Sequence, residues 1–592
     1  MTAECVLPPR PPSLTRPTRF SSLVFGAKAV ILRIRRAAWN LVAGPPLLAK
    51  AEASGFPHPL AESRSPLWAD EAAAERGFEL GKIQNLRTAC RALDGLVIPA
   101  GAVFSVWRHL GAPIGARGYV PGRMLKQGCM VPSVGGGLCQ LSNALYDAAL
   151  QAGCRIVERH AHSRIVPGSA AAAGRDATLS WNYVDLRFAP DRELCLSARL
   201  DRDSLIIRLL VPAKTPARLP ASVAPDRAAA FDSSTARSCA TCDATDCFRH
   251  EHAGLASPGA ADPRVFLVDE AWPEFQAYLR DAHRAQDRLG LPLDGARLGL
   301  TRYAWHAGGF AQSASAPVAT LRRSLALRRA GLQRAARRSA DLTATGRIAR
   351  SLARLLTPEV TSVTVAQSYL PFLWREGHLG GRQVSVLMTR LPMMLLQAKL
   401  DVAAAAHPEH ATLTDFRAPS WLAEAEAEAL ASADWIITPH VEIAALFGDR
   451  AIRVPWQVPA ARSPAPVHGR RIVFPGPTVA RKGAHTLRDA AAVLGLEVMP
   501  LGTELEGPAF WGGVRTVPAG DWSGVAAVVQ PALVEEQPRR LLAALAAGIP
   551  VIATPACGIE PRPGLYLIPP DDTTALIDAL AALTAPAPAS RT

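Results

Sequence analysis

The chain has 592 residues, of which 49% are hydrophobic, and its mean hydropathy is +0.10. These values exclude a wholly disordered protein and leave room for about two to four packed domains. The formal net charge of +14 points to an anionic partner such as a membrane, a nucleotide or a nucleic acid.

Residues 1–79 form a basic N-terminal extension that lacks a clean signal peptide. Within it, residues 18–42 combine Lys28, Arg33 and Arg36 with apolar residues, a pattern typical of a helix on an anionic membrane or of a helix packed on the first domain. No uncharged apolar run reaches about 18 residues, so we expect no transmembrane helix. Because ten cysteines occur without an export signal, we expect a cytoplasmic protein. A peripheral location on the inner membrane is the alternative.

Residues 131–146 read VPSVGGGLCQLSNALY and are the most informative stretch of the chain. The three glycines permit positive φ angles and close backbone approach, and a helical apolar pattern opens directly after them. Cys139 therefore falls in the first turn of a predicted helix, where the helix dipole favours the thiolate. Packing of Cys139 as a small hydrophobic side chain is the alternative.

Two histidines and an aspartate follow this cysteine. His160 and His162 lie in ERHAHSR, and Asp176 lies in GRDAT. Cysteine, histidine and aspartate are the components of a nucleophilic site in which a base activates the thiol and a carboxylate orients the base. The sequence leaves open which of the two histidines faces Cys139.

Alternating apolar and polar residues predict the strands of this domain. They lie at 155–159, at 178–188, and in a hairpin of 194–200 and 204–211. A helix that carries Cys139 and packs on a mostly antiparallel sheet makes residues 80–215 an α+β domain.

The ordered motifs of residues 80–215 resemble those of the VanW family. They are VIPAGAVFSVW (97–107), RGYVPGR (117–123), the glycine–cysteine stretch, ERHAHSR (158–164) and GRDATLSW (174–181). The resemblance implies a bacterial protein linked to the cell envelope and to glycopeptide resistance, without an established chemistry. The order of cysteine, histidine and aspartate is also similar to transglutaminase-like and papain-like cores.

Residues 216–263 form a linker with a cluster of metal-ligating residue types. The cluster comprises Cys239, Cys242, Cys247, His250 and His252. The C-x2-C-x4-C spacing suits Zn²⁺, with an iron–sulfur cluster as the alternative. One of the histidines, or Cys129, supplies the fourth ligand of what we expect to be a structural site. Free or redox-active cysteines in a loop are the remaining interpretation.

From residue 264 strand-like and helix-like segments alternate, which predicts parallel sheets built from βαβ units. The run is too long for one sheet and fits two Rossmann-like halves, residues 264–455 and 456–592. The fold class is therefore multidomain α/β, an α+β domain followed by two Rossmann-like halves. The strands are expected at 265–268, 363–366, 384–388, 435–438, 472–474, 498–501, 526–530 and 551–554.

Two motifs stand out in the second half. FPGPTVARKG (474–483) joins a strand to a helix, and a glycine turn with a cation at a helix start is a diphosphate-binding arrangement. VEEQP (534–538) leads into LLAALAAGIPVIAT (541–554). Together they resemble retaining, group 1 glycosyltransferases of the GT-B fold, which implies a nucleotide-sugar donor. By position, the diphosphate would be held by Gly476, Arg481 and Lys482, and Glu535 would be the first of two family glutamates.

Two positions depart from that family pattern. The family arginine falls on Pro477, and the second glutamate, which contacts the nucleotide ribose in that family, falls on Ala543. Because alanine accepts no hydrogen bond, donor binding is either rearranged or lost. In the first half, ADWIITPH (433–440) is similar to the strand and loop that enter the interdomain cleft, which places His440 and Glu442 near the cleft. A plain helix N-terminus is the alternative there.

Between Arg322 and Arg354 there are ten arginines, one acidic residue and a helical apolar stripe. The resemblance implies docking of such a helix to a membrane that holds a lipid-linked acceptor. A solvated helix face is the second interpretation. We expect no nucleic acid partner, because no aromatic residues interleave with the arginines.

These features leave three functions open. The first is an envelope-related protein whose back module transfers a sugar from a nucleotide donor to an envelope glycan or lipid acceptor. The second is acyl or peptidyl transfer, or hydrolysis, by Cys139 on a peptidoglycan precursor. The third is a non-catalytic binding or scaffold protein linked to glycopeptide resistance.

Overall fold

The computed structural model divides into two compact units. The first unit comprises Met1–Asp262 with the short segments Thr357–Thr361 and Glu376–Arg382, and the second comprises Pro263–Leu356, Ser362–Arg375 and Gln383–Thr592. The structure describes residues 18–51, 55–68, 76–126, 129–162, 174–212, 237–238, 262–330, 334–415, 417–459, 469–507, 509–520 and 522–584.

The described residues of the first unit form four α-helices and ten strands. The helices are α1 (Arg19–Ala43), α2 (Arg76–Leu93), α3 (Val106–Leu110) and α4 (Leu138–Gln151). The strands are β1 (His58–Pro66), β2 (Leu96–Ile98), β3 (Phe104–Ser105), β4 (Pro121–Lys126), β5 (Cys129–Val134), β6 (Arg155–Glu158), β7 (Arg187–Ala189), β8 (Leu194–Leu200), β9 (Ser204–Val211) and β10 (Arg237–Ser238).

Three sheets form from these strands, with the orders β1-β9-β8-β2, β3-β7-β6 and β10-β5-β4. All pairings are antiparallel except that of β10 with β5. The predicted hairpin is confirmed as β8 and β9, and the predicted strand at 155–159 is confirmed as β6. The α+β class of this region is therefore confirmed.

One strand prediction is wrong. The structure replaces the single strand predicted at 178–188 by a turn at 181–183 and the short strand β7. Upstream of the turn, the backbone N–H of Thr178 donates to the carbonyl of His160, and that of Ala177 donates to the side chain of Asn143 in α4. Contacts to α4 and to the loop after β6 thus take the place of a sheet ladder.

The core of the first unit lies between α2, α4 and the four-stranded sheet. Helix α4 packs on β1 and β9, and α2 packs on β8 and β4. The apolar face of α4 that the sequence predicts is buried, because Leu141, Leu145 and Ala148 are fully inaccessible to solvent. Burial of such side chains contributes about 1.5–3 kcal/mol each, so this face fixes the position of α4.

The two short segments from the later part of the chain are bound to the first unit through buried arginines. Arg87 of α2 donates to the carbonyls of Gly380 and Gly381, with N···O distances of 2.6 and 3.2 Å. Arg382 donates to the carbonyls of Val360 and Thr357, each at 2.9 Å. These guanidinium groups satisfy backbone oxygens that burial would otherwise leave without partners.

The second unit alternates strands and helices. The helices are α5 (Pro273–Ala282), α6 (Gly295–Leu298), α7 (Pro317–Ala330), α8 (Arg334–Leu352), α9 (Leu370–Arg375), α10 (Met393–Ala406), α11 (Ser420–Ser432), α12 (Val441–Phe447), α13 (Ala484–Leu494), α14 (Arg539–Ala546) and α15 (Thr573–Thr584). The strands are β11 (Arg264–Leu267), β12 (Arg288–Leu291), β13 (Gln312–Ser315), β14 (Ser362–Ala366), β15 (Gln383–Leu387), β16 (Trp435–Thr438), β17 (Ala451–Arg453), β18 (Arg471–Phe474), β19 (Glu497–Pro500), β20 (Arg515–Thr516), β21 (Val525–Gln530), β22 (Val551–Ala553) and β23 (Leu565–Leu567).

These strands form two parallel sheets, one in each predicted half. Their orders are β13-β12-β11-β14-β15-β16-β17 and β20-β19-β18-β21-β22-β23. The prediction of two Rossmann-like halves is confirmed, and each of the eight predicted strands is present. Five strands of these sheets were not predicted. β13, β17, β20 and β23 are short strands at sheet edges, and β12 lies between β13 and β11.

The basic segment 322–354 folds as two helices rather than one stripe. Helices α7 and α8 pack on each other, and Ile348 and Leu352 of α8 are fully buried. Leu321 and Leu325 of α7 are 58% and 52% exposed. The predicted apolar stripe is therefore divided between a buried part and an exposed part.

Helix α1 is long and largely exposed. Arg36 forms an ion pair with Glu158 of β6, and the Arg33 guanidinium donates to the carbonyl of Trp181 at 2.6 Å. Large apolar side chains elsewhere on the helix face solvent. Among the described residues, no helix is both long and apolar enough to cross a membrane.

Candidate functional site

Helix α4 begins at a glycine turn that brings Cys139 into position. Gly137, the residue before the helix, has a φ of 96°, and a Cβ atom on Gly136 would overlap the backbone of Gly122. Only glycine permits this close approach. Cys139 is consequently the second residue of α4, at the positive end of the helix dipole.

His162 and Asp176 complete a group of three with this cysteine. His162 Nδ1 is hydrogen-bonded to Asp176 Oδ1, and the backbone N–H of His162 donates to Asp176 Oδ2 at 2.5 Å. Asp176 is 2% exposed. The bond at Nδ1 leaves Nε2 of the ring for the thiol, and His162 is hydrogen-bonded to Cys139.

The electrostatics of the group favour a thiolate–imidazolium pair. Burial raises the pKa of the Cys139 thiol, but the hydrogen bond and charge of His162 outweigh it, so the pKa lies below its ordinary value. Burial lowers the pKa of His162, and the bonds to Asp176 and Cys139 overcome this effect and raise it to about 10. The Leu179 backbone N–H also donates to the sulfur, and Thr178 Oγ1 lies 3.8 Å from it.

The structure does not bring His160 to this group. The His160 side chain is 50% exposed, and its Nε2 lies 3.5 Å from Glu158 Oε1. The two histidines thus differ in surroundings although both belong to one motif. The sequence analysis did not place Thr178 and Leu179 at the cysteine. The turn that follows them could have indicated that this segment is not a continuous strand.

In the second unit, Lys482 and Glu535 are brought together. Lys482 Nζ lies 2.8 Å from Glu535 Oε2, and the other carboxylate oxygen accepts the backbone N–H groups of Glu536 and Gln537, each at 2.8 Å. Gln530 donates to Oε2 as well. Burial raises the pKa of Glu535, but the charge of Lys482 outweighs it, and the pKa is lowered.

The turn from β18 to α13 carries Gly476, Arg481 and Lys482. Gly483 precedes α13 with a φ of 75°, and a Cβ atom there would overlap the Pro531 carbonyl, so the residue must be glycine. The carbonyl of Arg481 accepts backbone N–H groups of Leu533 and Val534, which ties this turn to the loop before Glu535.

His440 is buried rather than open to a ligand. It is 1% exposed, and its Nε2 lies 3.2 Å from the carbonyl oxygens of Glu535 and Ala556. Burial lowers its pKa, so the ring is neutral and donates one proton to these oxygens. The neighbouring Glu442 forms an ion pair with Lys399. His440 therefore supports the Glu535 loop from the first half.

A cleft of about 980 Å³ separates the two halves of the second unit. Its walls carry six arginines and six carboxylates. They are Arg302, Arg323, Arg337, Arg338, Arg390, Arg481, Asp269, Glu270, Asp341, Asp415, Glu504 and Glu536. Of the predicted residues, Arg481 lines the cleft, whereas Gly476, Lys482, Glu535 and His440 are not part of its described wall.

The arginines of the cleft wall differ in their partners. Arg323 pairs with Asp341 at 2.7 Å, and Arg302 pairs with Glu270. Arg337 and Arg481 form no ion pair with any other described residue. Arg337 belongs to α8, so sequence reasoning saw it only as one cation of a basic stripe.

The predicted metal ligands Cys239, Cys242, Cys247 and His250 lie outside the described residues, so the zinc or iron–sulfur site stays a prediction. The strand that leads into this segment, β10, pairs in parallel with Cys129–Met130 of β5.

Comparison with protein families finds two matches along the chain. Residues 81–210 match the family described as VanW like protein, and residues 501–585 match the family described as Glycosyl transferases group 1. The chain therefore carries a VanW-like domain in its N-terminal region and a group 1 glycosyltransferase domain at its C-terminus. Both predicted resemblances are confirmed.

Two curated proteins are similar to the first region. The uncharacterized protein YoaR of Bacillus subtilis is 32% identical over 151 residues, which cover 24% of this chain and 49% of YoaR. The vancomycin B-type resistance protein VanW of Enterococcus faecalis is 30% identical over 143 residues, 23% of this chain and 51% of VanW. The chain thus spans about half the length of the curated relatives it matches.

Solved structures are similar to the later region at low identity. Sucrose-phosphate synthase from Thermosynechococcus elongatus is 15% identical with a TM-score of 0.35, covering 55% of this chain and 90% of its own. Anabaena HepE in complex with UDP and glucose is 14% identical with a TM-score of 0.32, covering 54% and 89%.

Proposed function

We propose that the second unit binds a nucleotide sugar in its cleft and transfers the sugar to an acceptor. The observation that carries this proposal is the cleft itself, whose volume of about 980 Å³ lies at the upper end for ligand sites and whose walls come from both halves. The group 1 glycosyltransferase match of residues 501–585 supports the same function.

Arg337 and Arg481 are the groups that we assign to the donor diphosphate. Both guanidinium groups line the cleft without an ion-pair partner among the described residues. A guanidinium binds phosphate oxygens through two parallel hydrogen bonds, which gives both affinity and orientation. Arg302 and Arg323 pair with carboxylates of the wall instead, and Arg390 pairs with the buried Glu426.

Lys482 and Glu535 act on the donor indirectly in this proposal. All oxygen atoms of Glu535 already accept hydrogen bonds, and Lys482 neutralises its charge. The pair therefore fixes the loop that carries Glu536 and Gln537 into the cleft wall. At the position of the second family glutamate, Ala543 is exposed and offers no ribose contact.

The test is a titration of the full chain with UDP and with a panel of nucleotide sugars. We expect Arg337→Ala and Arg481→Ala to weaken binding at least about tenfold each, since each removes a charged hydrogen-bond donor. Arg515→Ala is the matched control, because that side chain is 78% exposed and pairs only with Glu497 among the described residues. Failure of every nucleotide to bind, or equal affinity in all variants, would refute the proposal.

We propose an envelope glycan or lipid as the acceptor, reached by contact of α1 with an anionic membrane. Ile31 and Ile34 are each 65% exposed, and Leu41 and Val42 are about 90% exposed on the same helix. Basic residues accompany them, as in interfacial helices. In flotation with anionic vesicles, Ile31→Ser/Ile34→Ser should remain in the soluble fraction, whereas Val493→Ser, at 70% exposure, should not change the distribution.

A second function is favoured by the Cys139 group. The thiolate would attack an acyl carbon and form a thioester, His162 would give its proton to the leaving amine or alcohol, and water or an amine would release the acyl group. A peptidoglycan precursor is the proposed substrate. With a p-nitrophenyl ester, we expect acylation of the thiol to release a burst of one p-nitrophenolate per chain. Cys139→Ser should abolish the burst, and Cys154→Ala, at a buried thiol, should retain it.

A further inference from the structure

Three ligand atoms from two halves of the second unit lie together away from the described cleft wall. His407 follows α10 in the first half, whereas His485 in the first turn of α13 and Asp571 before α15 belong to the second half. One nitrogen of each imidazole and one carboxylate oxygen all lie within 4.8 Å of one another.

The carboxylate of Asp571 joins the two imidazoles. His407 Nε2 lies 2.8 Å from Asp571 Oδ2, and His485 Nε2 lies 3.0 Å from Asp571 Oδ1. The ring centroids of the two histidines are 4.6 Å apart. Asp571 itself has a φ of 59°, the left-handed region, and is the one such residue other than glycine among the described residues.

A third imidazole stands beside this group. The ring of His410 is centred 5.1 Å from that of His485 and is 6% exposed. Its buried Nε2 makes no hydrogen bond among the described residues and lies 3.5 Å from Glu409 Oε1, and its Nδ1 lies 3.5 Å from Glu506 Oε2. A carboxylate near one ring nitrogen and a second nitrogen that makes no hydrogen bond are compatible with a metal-binding histidine.

We propose that His407, His485 and Asp571 bind a divalent cation of the zinc class, with His410 as the nearest additional ligand. Imidazole nitrogens and a carboxylate suit such ions, which bind them at about 2.0–2.2 Å. Ligand atoms around a tetrahedral ion therefore stand about 3.3 Å apart. The two N···O distances of 2.8 and 3.0 Å need to open slightly, and the two imidazole nitrogens, which lie within 4.8 Å of each other, are close enough to share the ion.

The cation would link the two halves at this point. Hydrogen bonds of Thr412 already connect the two halves, since its Oγ1 accepts the Ala480 backbone N–H at 3.1 Å and donates to Glu506 Oε1. A bound ion would add covalent-like links from α10 to α13 and α15. This role concerns the rigidity of the unit and does not depend on the identity of the donor or acceptor.

The test is Co²⁺ binding to the metal-stripped full chain, followed by absorption and by equilibrium dialysis. Cobalt bound by imidazole and carboxylate gives visible bands without the intense near-ultraviolet band of a cobalt–thiolate bond, so ions held by the cysteines of residues 239–247 are distinguished. The variants are His407→Gln and Asp571→Asn, whose side chains are 28% and 31% exposed, and the control is His306→Gln, an exposed histidine of the same unit.

We expect each variant to lose one equivalent of cobalt without loss of thiolate absorption, and the control to retain it. Zn²⁺ should also raise the unfolding temperature of the wild type and of His306→Gln, and leave that of the two variants unchanged. Equal stoichiometry in all four proteins, or a loss confined to the thiolate band, would overturn the proposal. Circular dichroism establishes that each variant is folded.

Discussion

The two candidate sites of this protein are built in opposite ways. Cys139, His162 and Asp176 lie within 38 residues of one another along the chain and are already hydrogen-bonded into one group. The cleft of the second unit draws its walls from residues between Asp269 and Gln537, and two of its cations have no ion-pair partner among the described residues.

This difference separates a preorganised site from one that a ligand completes. The pKa of the Cys139 thiol is lowered in the free protein, because His162, Leu179 and Thr178 already supply its hydrogen bonds without a substrate. The cleft instead offers charge that a diphosphate would neutralise. Variants of the first site should therefore change an intrinsic property of the free protein, and variants of the second should change only its affinity for ligand.

The largest effect is expected for His162→Gln. The wild-type thiolate should form below the ordinary thiol pKa of about 8.5, so alkylation by iodoacetamide is already fast at neutral pH. The variant loses the imidazolium and keeps the burial that raises the thiol pKa, so the rate at pH 7 should fall about 100-fold. Peptide-resolved mass spectrometry measures the rate, and His160→Gln should leave it unchanged.

Gly136→Ala should destabilise the first unit by about 1–3 kcal/mol. The added Cβ overlaps the backbone of Gly122, and neither segment can move without displacing the start of α4. Hydrogen exchange of α4 peptides measures the local free energy of opening. Gly115→Ala is the control, because its Cβ would meet no atom within 4 Å. Equal protection in both variants would show that the turn tolerates a side chain.

Asp176→Asn should have a smaller effect on the same thiol. The hydrogen bonds of Asp176 raise the pKa of His162, so their loss weakens the imidazolium and raises the pKa of Cys139. We expect the midpoint of the alkylation profile to move up by about one pH unit, with a rate about tenfold lower at pH 7. An unchanged midpoint would mean that Asp176 only positions the ring.

The smallest effect is a gain in the second unit. Ala543→Glu restores the family glutamate on the exposed face of α14, and one new hydrogen bond to a ribose hydroxyl should tighten UDP binding about fivefold. Ala581→Glu, also at an exposed helix position, should have no effect. Weaker binding by Ala543→Glu would indicate that the ribose of the donor does not lie next to residue 543 in this chain.

Glycine turns and apolar runs predicted most helices and strands correctly, because these patterns depend only on residues that are close together in the sequence. The glycines before Cys139 predicted the start of α4, and the buried strands β14, β15 and β21 read directly as apolar runs. The edge strand β13, Gln312–Ser315, was missed because it carries no apolar run.

The sequence did not predict the direction in which individual side chains point. His160 and His162 have the same parity, so a strand would have placed them on one face, but β6 ends at Glu158 and the two rings diverge. Arg337 could not be distinguished from the other arginines of its helix, because only tertiary packing decides which of them reaches the cleft. Apolar and polar residues alternate in segment 178–188 as in a strand, yet Thr178 and Leu179 form hydrogen bonds with the Cys139 sulfur instead of a sheet ladder.

The short segments 357–361 and 376–382 determine how this protein can be divided for study. The chain passes from one unit to the other at five points, so no single cut yields both units intact. A fragment ending at residue 262 would leave the Arg87 guanidinium without the carbonyls of Gly380 and Gly381. A fragment starting at residue 263 would contain the segment with the buried Arg382 but lack the rest of the first unit, to which that segment belongs. The first unit therefore needs the chain through residue 382, and because β14 pairs with β15 directly after that point, expression of both units intact requires the full chain.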